Sequence, residues 1–280
     1  MAERVLGVMI PDSINPVHAE NASRIERLAA HAGFSVLVMN AGGKRSGEEQ
    51  CLQEMLSAGV SGVCTMSVST GAHEIYTNLP IPAVLIGSRT TVPELDYVVL
   101  DDYHAAYLVV QKLVERRLTR IAFLSYKRAQ GYSAIDRENG FFKAVKRNTD
   151  TTLSIVVEDL PSEELRDSFL AAKKLMTLPT PPNAIVAQND FIAYGAMQAL
   201  SEMQITPGKD AAVIGFDDLL YSGLPKMSLS TVTNQGDPLP DRAFALLMRR
   251  LASPGPHGRC GIVLAPHLIY RKSFSGVFPC

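Results

Sequence analysis

Two adjacent acidic pairs, Asp101-Asp102 and Asp217-Asp218, each follow a short apolar run that reads as a buried strand. Neighbouring carboxylates at a strand end admit three chemistries. They can cap the next helix by accepting its unpaired N–H groups, accept hydrogen bonds from ligand hydroxyls, or hold magnesium and do acid–base work. Asn189-Asp190 repeats the arrangement after the run at 184–187 and opens a helical pattern with Ala193, Ala196, Met197 and Leu200 on one face. Capping accounts for one member of that pair. The other is available to a ligand, to which an amide offers both donors and an acceptor. Arg137 stands at the start of a helical stretch, where a cation opposes the helix dipole. A specific anionic or polyol partner is therefore expected, with a solvated surface arginine as the alternative. Asn15-Pro16-Val17-His18 opens the first helix, with Asn15 placed to cap and Pro16 at the first helical position. Val17 and His18 then overlook the strand ends, and His104 lies beside an acidic pair.

Other constellations fail on spacing. There is no HExxH, no G-x-S-x-G and no GxGxxG after a strand. Gly42-Gly43-Lys44-Arg45-Ser46-Gly47 has the glycines of a phosphate loop, but Glu48 and Glu49 stand where Lys and Ser/Thr would hold phosphate and magnesium. That segment reads as a plain loop. Cys51, Cys64, Cys260 and Cys280 show neither a CxxC nor a metal-ligand spacing and read as reduced thiols, which suits the cytoplasm. No cofactor and no metal is expected. An enzyme using an acidic pair with magnesium, a hydrolase or a kinase, is a rival reading.

The elements that must position these residues follow a regular rhythm. Buried strands are expected at 5–10, 35–39, 62–66, 83–86 and 97–100, then at 120–124, 154–157, 184–187 and 211–216. Helices fall between them at 17–31, 48–58 and 103–117, then at 135–147, 163–177 and 191–203. Gly33 and Gly59 stop the first two. Repeated β-α-β units with short connections imply parallel sheets covered by helices, and two successive sets imply two Rossmann-like lobes. A tail of strand (231–233), helix (239–252) and strand (267–272) is too small for a third domain and packs onto the lobes. The expected division is residues 1–117 with 235–262, and 118–234 with 263–280, joined by a hinge of about three crossovers. Ligand would bind where the carboxyl ends of both sheets face each other.

Composition narrows the partners. The 280 residues are 46% hydrophobic and 20% charged, enough for well-filled cores, and the formal net charge is −1. That balance gives the chain no electrostatic footprint for nucleic acid. No apolar run approaches the roughly twenty residues of a membrane span. Met1–Arg4 leads straight into the first strand, so no signal peptide is expected.

Five segments occur in an order that carries a family likeness. Gly7-Val8-Met9-Ile10-Pro11-Asp12 with Asn15-Pro16 is the first, and Gly59-Val60-Ser61-Gly62-Val63 the second. Arg137 with Gly140-Phe141, and Asn189-Asp190-Phe191-Ile192-Ala193-Tyr194-Gly195-Ala196-Met197, come next. Val213-Ile214-Gly215-Phe216-Asp217-Asp218, followed by Leu229-Ser230-Thr231-Val232, completes the set. Together they resemble the lactose/galactose repressor (LacI/GalR) family of transcriptional regulators, over nearly the whole chain. The resemblance implies a periplasmic-binding-protein-like α/β fold. It also implies a small-molecule effector, a sugar or other polar metabolite, held by the residues matching Arg137, Asn189 and Asp217. Asn15, Val17, His18, His104 and Asn234 would line the same cleft. The sequence departs from the family in having Asp101-Asp102 for Asp-Asn, Ala105-Ala106 for Gly-Gly and Asn234-Gln235 for Gln-Pro, which leaves the ligand's identity open. Members resemble this chain preceded by a helix-turn-helix headpiece that binds operator DNA, a part missing here. They dimerise, here through the helices at 21–32 and 48–58. The alternative is a free-standing solute-binding protein of a transporter, which shares the fold.

Overall fold

The computed structural model describes residues 4–66, 69, 72–77, 79–126, 131–148, 153–234, 236–255 and 257–275. Cys280, Gln235 and residues 127–130 of the expected loop before Arg137 lie outside the described residues. In chain order the elements are β1 (Val5–Ile10), α1 (Pro16–His31), β2 (Ser35–Asn40), α2 (Arg45–Ser57), β3 (Val63–Thr65), β4 (Ala83–Ile86), β5 (Asp96–Leu100) and α3 (Asp102–Glu115). Then come β6 (Arg120–Ser125), α4 (Tyr132–Arg147), β7 (Ser154–Asp159), α5 (Leu165–Met176), β8 (Ala184–Ala187), α6 (Asp190–Glu202) and β9 (Ala212–Phe216). The chain closes with β10 (Ser230–Thr233), α7 (Leu239–Ala252), β11 (Gly261–Leu264), β12 (His267–Ile269) and the short α8 (Lys272–Ser275).

These form two compact units. One comprises Met1–Leu100, Gln130–Ser133 and Asn234–Ala265; the other comprises Asp101–Ala129, Ala134–Thr233 and Pro266–Cys280. Each carries a six-stranded sheet, in the orders β11-β5-β4-β3-β1-β2 and β12-β10-β9-β8-β6-β7. All pairings in the first are parallel, whereas β12 runs antiparallel to β10 in the second. Strands covered on both faces read as continuous apolar runs, and β8 and β9 are buried at every residue. The edge strands β2 and β7 mix half-buried with exposed residues instead.

The helix ends obey local rules. Asn15 caps α1 and Pro16 takes its first position, where a missing N–H costs nothing. Gly33 follows α1 at a φ of 77°, a backbone state glycine adopts without strain. One face of α1 buries Ala22, Ile25 and Ala29. A fully buried isoleucine contributes roughly 1.5–3 kcal/mol.

Three expectations need correction. The domain boundary at 117 falls too late, because α3 groups with the second unit. Its buried Asp102 is ion-paired to Arg137 of α4 there. The segment 45–47, expected as loop, is the first turn of α2. The expected strand 267–272 stops at Ile269, because Ser273 is drawn inward to donate to Val213 O at 2.6 Å and accept from Ser230 N at 2.7 Å. The sequence reading also missed β11, a four-residue, mostly unburied edge strand with little periodic signal.

Candidate functional site

The second unit gathers its unusual chemistry at the carboxyl ends of β8 and β9. Arg137 lies in the second turn of α4, since that helix starts at Tyr132 and not at 135. Phe141 lies one turn further along the same face and stacks on Phe123 of β6, with ring centroids 4.6 Å apart. That contact fixes α4 over the sheet. Gly140 fixes it against α3, because a Cβ there would come within 2.0 Å of the Tyr103 carbonyl oxygen. Only glycine lets the two helices approach so closely, and the approach sets Asp102 beside Arg137.

The Arg137 guanidinium is almost fully enclosed. Its Nε donates to Asp102 Oδ1 at 2.7 Å, Nη1 to the Gln188 carbonyl at 2.7 Å and Nη2 to Asp217 Oδ1 at 2.9 Å. Below it lies the Phe216 ring, 4.7 Å from guanidinium carbon to centroid. Burial by itself would lower the guanidinium pKa, but Asp102 and then Asp217 outweigh it, so the group is held charged more firmly than in water. The expected anionic partner of Arg137 is thus present twice.

Asp217 reaches Arg137 from a strained backbone. Its φ is 110° and that of Asp218 is 55°, left-handed values that cost energy for any residue with a Cβ. Asp217 N donates to Val232 O at 2.9 Å, which holds the turn in place. Asp218 faces a different partner, accepting from Arg271 Nη2 at 2.6 Å. In this pair each carboxylate takes an arginine, Asp217 from Arg137 and Asp218 from Arg271. In the other pair, Asp101 does cap, accepting from His104 N at 3.2 Å, while Asp102 takes the arginine.

Asn189 is the N-cap of α6, with Oδ1 accepting from Ile192 N at 2.8 Å. It is buried beside Gln188. Asp190 does not point outward, as the alternative for that pair would have it. It is fully buried and accepts from Ser222 Oγ at 2.5 Å, Thr231 Oγ1 at 2.6 Å and Leu219 N at 3.0 Å. Burial, and then the charge of Asp217, push its pKa up to about 8. Gly215 makes room for it, since a Cβ there would lie 2.3 Å from Asp190 Oδ1.

The remaining expected residues lie on other elements. His104 is exposed on α3 and stacks on Tyr107 at 6.3 Å. Asn15, Val17, His18 and Asn234 belong to the first unit. There Asn15 accepts from Val17 N at 3.1 Å, His18 Nε2 lies 3.4 Å from Asp12 Oδ2, and the Asn234 amide donates to Asp237 O. Sequence reasoning missed Gln188 and Phe216 as members of the site. Both immediately precede residues it chose, which is the signal that could have found them.

Among the described residues no group of three or more His, Cys, Asp or Glu side chains could hold a metal ion. Cys51 and Cys64 are buried free thiols, and burial pushes Cys64 up to about 12. No helix among the described residues is long and apolar enough to cross a membrane.

Comparison with known proteins agrees with this fold. Residues 110–274 match the family described as periplasmic binding protein-like domain. The ribose operon repressor of Escherichia coli is 25% identical over 252 residues, covering 89% of this chain and 76% of its own. A crystal structure of an uncharacterized protein from Actinobacillus succinogenes superposes with a TM-score of 0.86 at 27% identity, covering 97% of this chain and 99% of that one. A LacI family transcriptional regulator from Enterococcus faecium, solved with bound ribose, gives 0.81 at 21% identity, covering 97% of this chain and 98% of its own.

Proposed function

We propose that this chain, which belongs to the periplasmic-binding-protein-like domain family and has LacI-type repressors as relatives, is the effector-sensing core of a bacterial transcriptional regulator. The observation that carries the reading is the Arg137 cluster. A buried cation held by two carboxylates and an aromatic face, at strand ends and on strained backbone, is expensive to build for stability alone. It makes sense as a preorganised site. Asp102 and Asp217 accept from ligand hydroxyls by charge-assisted bonds, and the Asn189 amide donates. The ribose operon repressor and the ribose-bound regulator support a sugar effector over a transporter-bound solute.

A ligand that binds one arrangement of the two units better than another shifts the population by its differential affinity, a few kcal/mol being sufficient. In the full regulator that shift would be read by a helix-turn-helix segment on operator DNA. The protein would act as a homodimer, since a two-fold pair of reading heads fits a near-palindromic operator. Helices α1 and α2 are the proposed contact in the first unit. The chain binds and does not catalyse, and it works in the cytoplasm with its target DNA.

A thermal-shift screen against sugars, sugar phosphates and nucleobases tests this, with Asp217→Ala as control. One ligand class should stabilise the wild-type protein, by about 2.7 kcal/mol at a hundredfold excess over Kd, and leave the variant unmoved. A wild-type protein indifferent to every class would sink the sensor reading.

A further inference from the structure

The bonds of Arg137 to Asp102, Gln188 and Asp217 are not alike in what they can fix. Two go to carboxylates, which turn about their own side-chain torsions. The other goes from Nη1 to the main-chain carbonyl of Gln188 at 2.7 Å, and a carbonyl turns only with its peptide. That peptide leads into Asn189, the cap of α6, so it places two of the residues expected to meet a ligand. Gln188 is itself buried, and both ends of its side-chain amide reach segments around Arg137. Oε1 accepts from Tyr126 N, just past β6, at 2.9 Å. Nε2 lies a longer 3.5 Å from the Ala134 carbonyl in the first turn of α4. A main-chain N–H only donates and a carbonyl only accepts, so these two neighbours dictate which way the amide faces. The Gln188 N–H donates to Leu124 O at 3.0 Å, continuing the pairing of β8 with β6.

We infer that Gln188 is a positioning residue, whose side-chain amide, held by Tyr126 and Ala134, fixes the main-chain carbonyl that orients the Arg137 guanidinium. The inference rests on the effector-binding reading above and deepens it. A recognition side chain is only as precise as the groups that hold it, and those groups need not touch the ligand. Here β6, β8 and the start of α4 meet at one residue, and its Cα cannot shift without stretching the bond to Tyr126. An apolar side chain of similar length, such as methionine, fills the same space. It takes away the acceptor of Tyr126 N and the donor to Ala134 O together. The carbonyl then loses its side-chain anchor, and the guanidinium loses the one partner that could not turn with it.

The test is NMR of the Arg137 side chain in the ligand-free full chain, comparing wild type with Gln188→Met. Val186→Ala is the control, since Val186 is fully buried in the same strand and makes no bond to Arg137. A guanidinium held by its partners cannot rotate, so its Nη–H signals should be resolved separately in the wild-type protein. They should merge in Gln188→Met and stay resolved in Val186→Ala. Resolved signals in both variants, or merged signals in both, overturn the inference. Should Gln188→Met fail to fold, the wild-type protein decides alone. Averaged Nη–H signals there, with a Tyr126 N–H that exchanges as fast as an exposed amide, overturn it too. The functional readout is calorimetry with D-ribose, which Gln188→Met should weaken by about tenfold or more and Val186→Ala should leave nearly unchanged. Equal weakening by the two variants counts against positioning. D-ribose silent on the wild-type protein bears on the effector reading only, because the guanidinium signals are read without ligand.

Discussion

In each unit a largely buried arginine binds aspartate across distant segments, Arg250 in the first and Arg137 in the second, and the two arginines sit at opposite ends of their sheets. In the first unit Arg250 of α7 clasps Asp96 through two bonds of 2.7 and 2.8 Å. Asp96 is the first residue of β5, so this pair lies at the amino end of a parallel strand. Arg250 also donates to the Gly258 carbonyl at 2.9 Å, and Asp96 accepts from Cys260 N at 2.6 Å. The last two bonds tie down the segment leading into β11. In the second unit Arg137 binds Asp102, Gln188 and Asp217, 35, 51 and 80 residues away in sequence, beside the carboxyl ends of β8 and β9. The same chemistry thus serves two ends. At the amino end it closes on the chain itself with planar, self-satisfied geometry. At the carboxyl end it comes with strained backbone, an aromatic floor and a neighbouring amide nitrogen. In open α/β sheets ligands bind at that end.

The sharpest way to break the contrast is to remove both arginines in turn. Arg137→Ala leaves two carboxylates enclosed without their cation and should destabilise the protein by about 3–5 kcal/mol. Arg250→Ala should fall toward the lower end of that range, since Asp96 keeps the Cys260 N–H and Arg250 retains some solvent contact. Denaturant titration measures both losses. The discriminating readout is thermal stabilisation by whichever ligand the wild-type protein accepts. It should vanish in Arg137→Ala and survive in Arg250→Ala. Loss of ligand response in both variants would mean that the two pairs do not differ in kind.

A second, smaller effect concerns what lies behind the carboxyl-end pair. Asp190 is fully buried, and burial followed by the charge of Asp217 pushes its pKa up to about 8. In the unfolded chain it titrates near the ordinary aspartate value of about 3.9. Between those values the folded state holds a proton that the unfolded state has released, so the slope of unfolding free energy with pH is negative. The contribution is full below about pH 4 and is lost as pH rises through about 8. Asp190→Asn keeps the shape and removes the titration. Chemical denaturation at pH 5, 6, 7 and 8 should show a downward trend in the wild-type protein that is flatter in the variant. Parallel trends would place the titrating group elsewhere.

The fold was legible because its signal is redundant. Buried parallel strands such as β8 need unbroken apolar runs, and helix stops such as Gly33 are written in single residues. Elements with neither property escaped, β11 and the turn of α8 among them. The site was legible in part, for a physical reason. Arg137 announced itself by standing where a cation gains nothing from the helix dipole, but the identity of its partners depends on tertiary approach. Nothing in the sequence says that Gly140 will bring Tyr103 and Asp102 against α4, or that of the two adjacent pairs one Asp caps while its neighbour takes the arginine. For Asn189-Asp190 the sequence offered one member as cap and the other to a ligand; Asn189 caps, while Ser222, Thr231 and the Leu219 N–H give the Asp190 carboxyl group enough partners to be buried.

The smallest expected effect tests the carboxyl end of the first sheet, where Asn15 and His18 stand. The loop before α1 carries a set of local bonds. Asp12 accepts from Ile14 N at 2.8 Å and Asn15 N at 3.0 Å, and Asn15 Oδ1 accepts from Val17 N at 3.1 Å. Such a loop is a helix start that satisfies its own donors, and removing its cap should cost about 1 kcal/mol. Asn15→Ala should therefore lower stability by that amount and leave ligand affinity within about threefold of wild type, since 1.4 kcal/mol would already be a factor of ten. Titration calorimetry on the variant checks it. A tenfold or larger loss of affinity, with stability lowered no more than a lost cap allows, would show that Asn15 touches the ligand. The chemistry of recognition would then be shared between the units and not concentrated in the second.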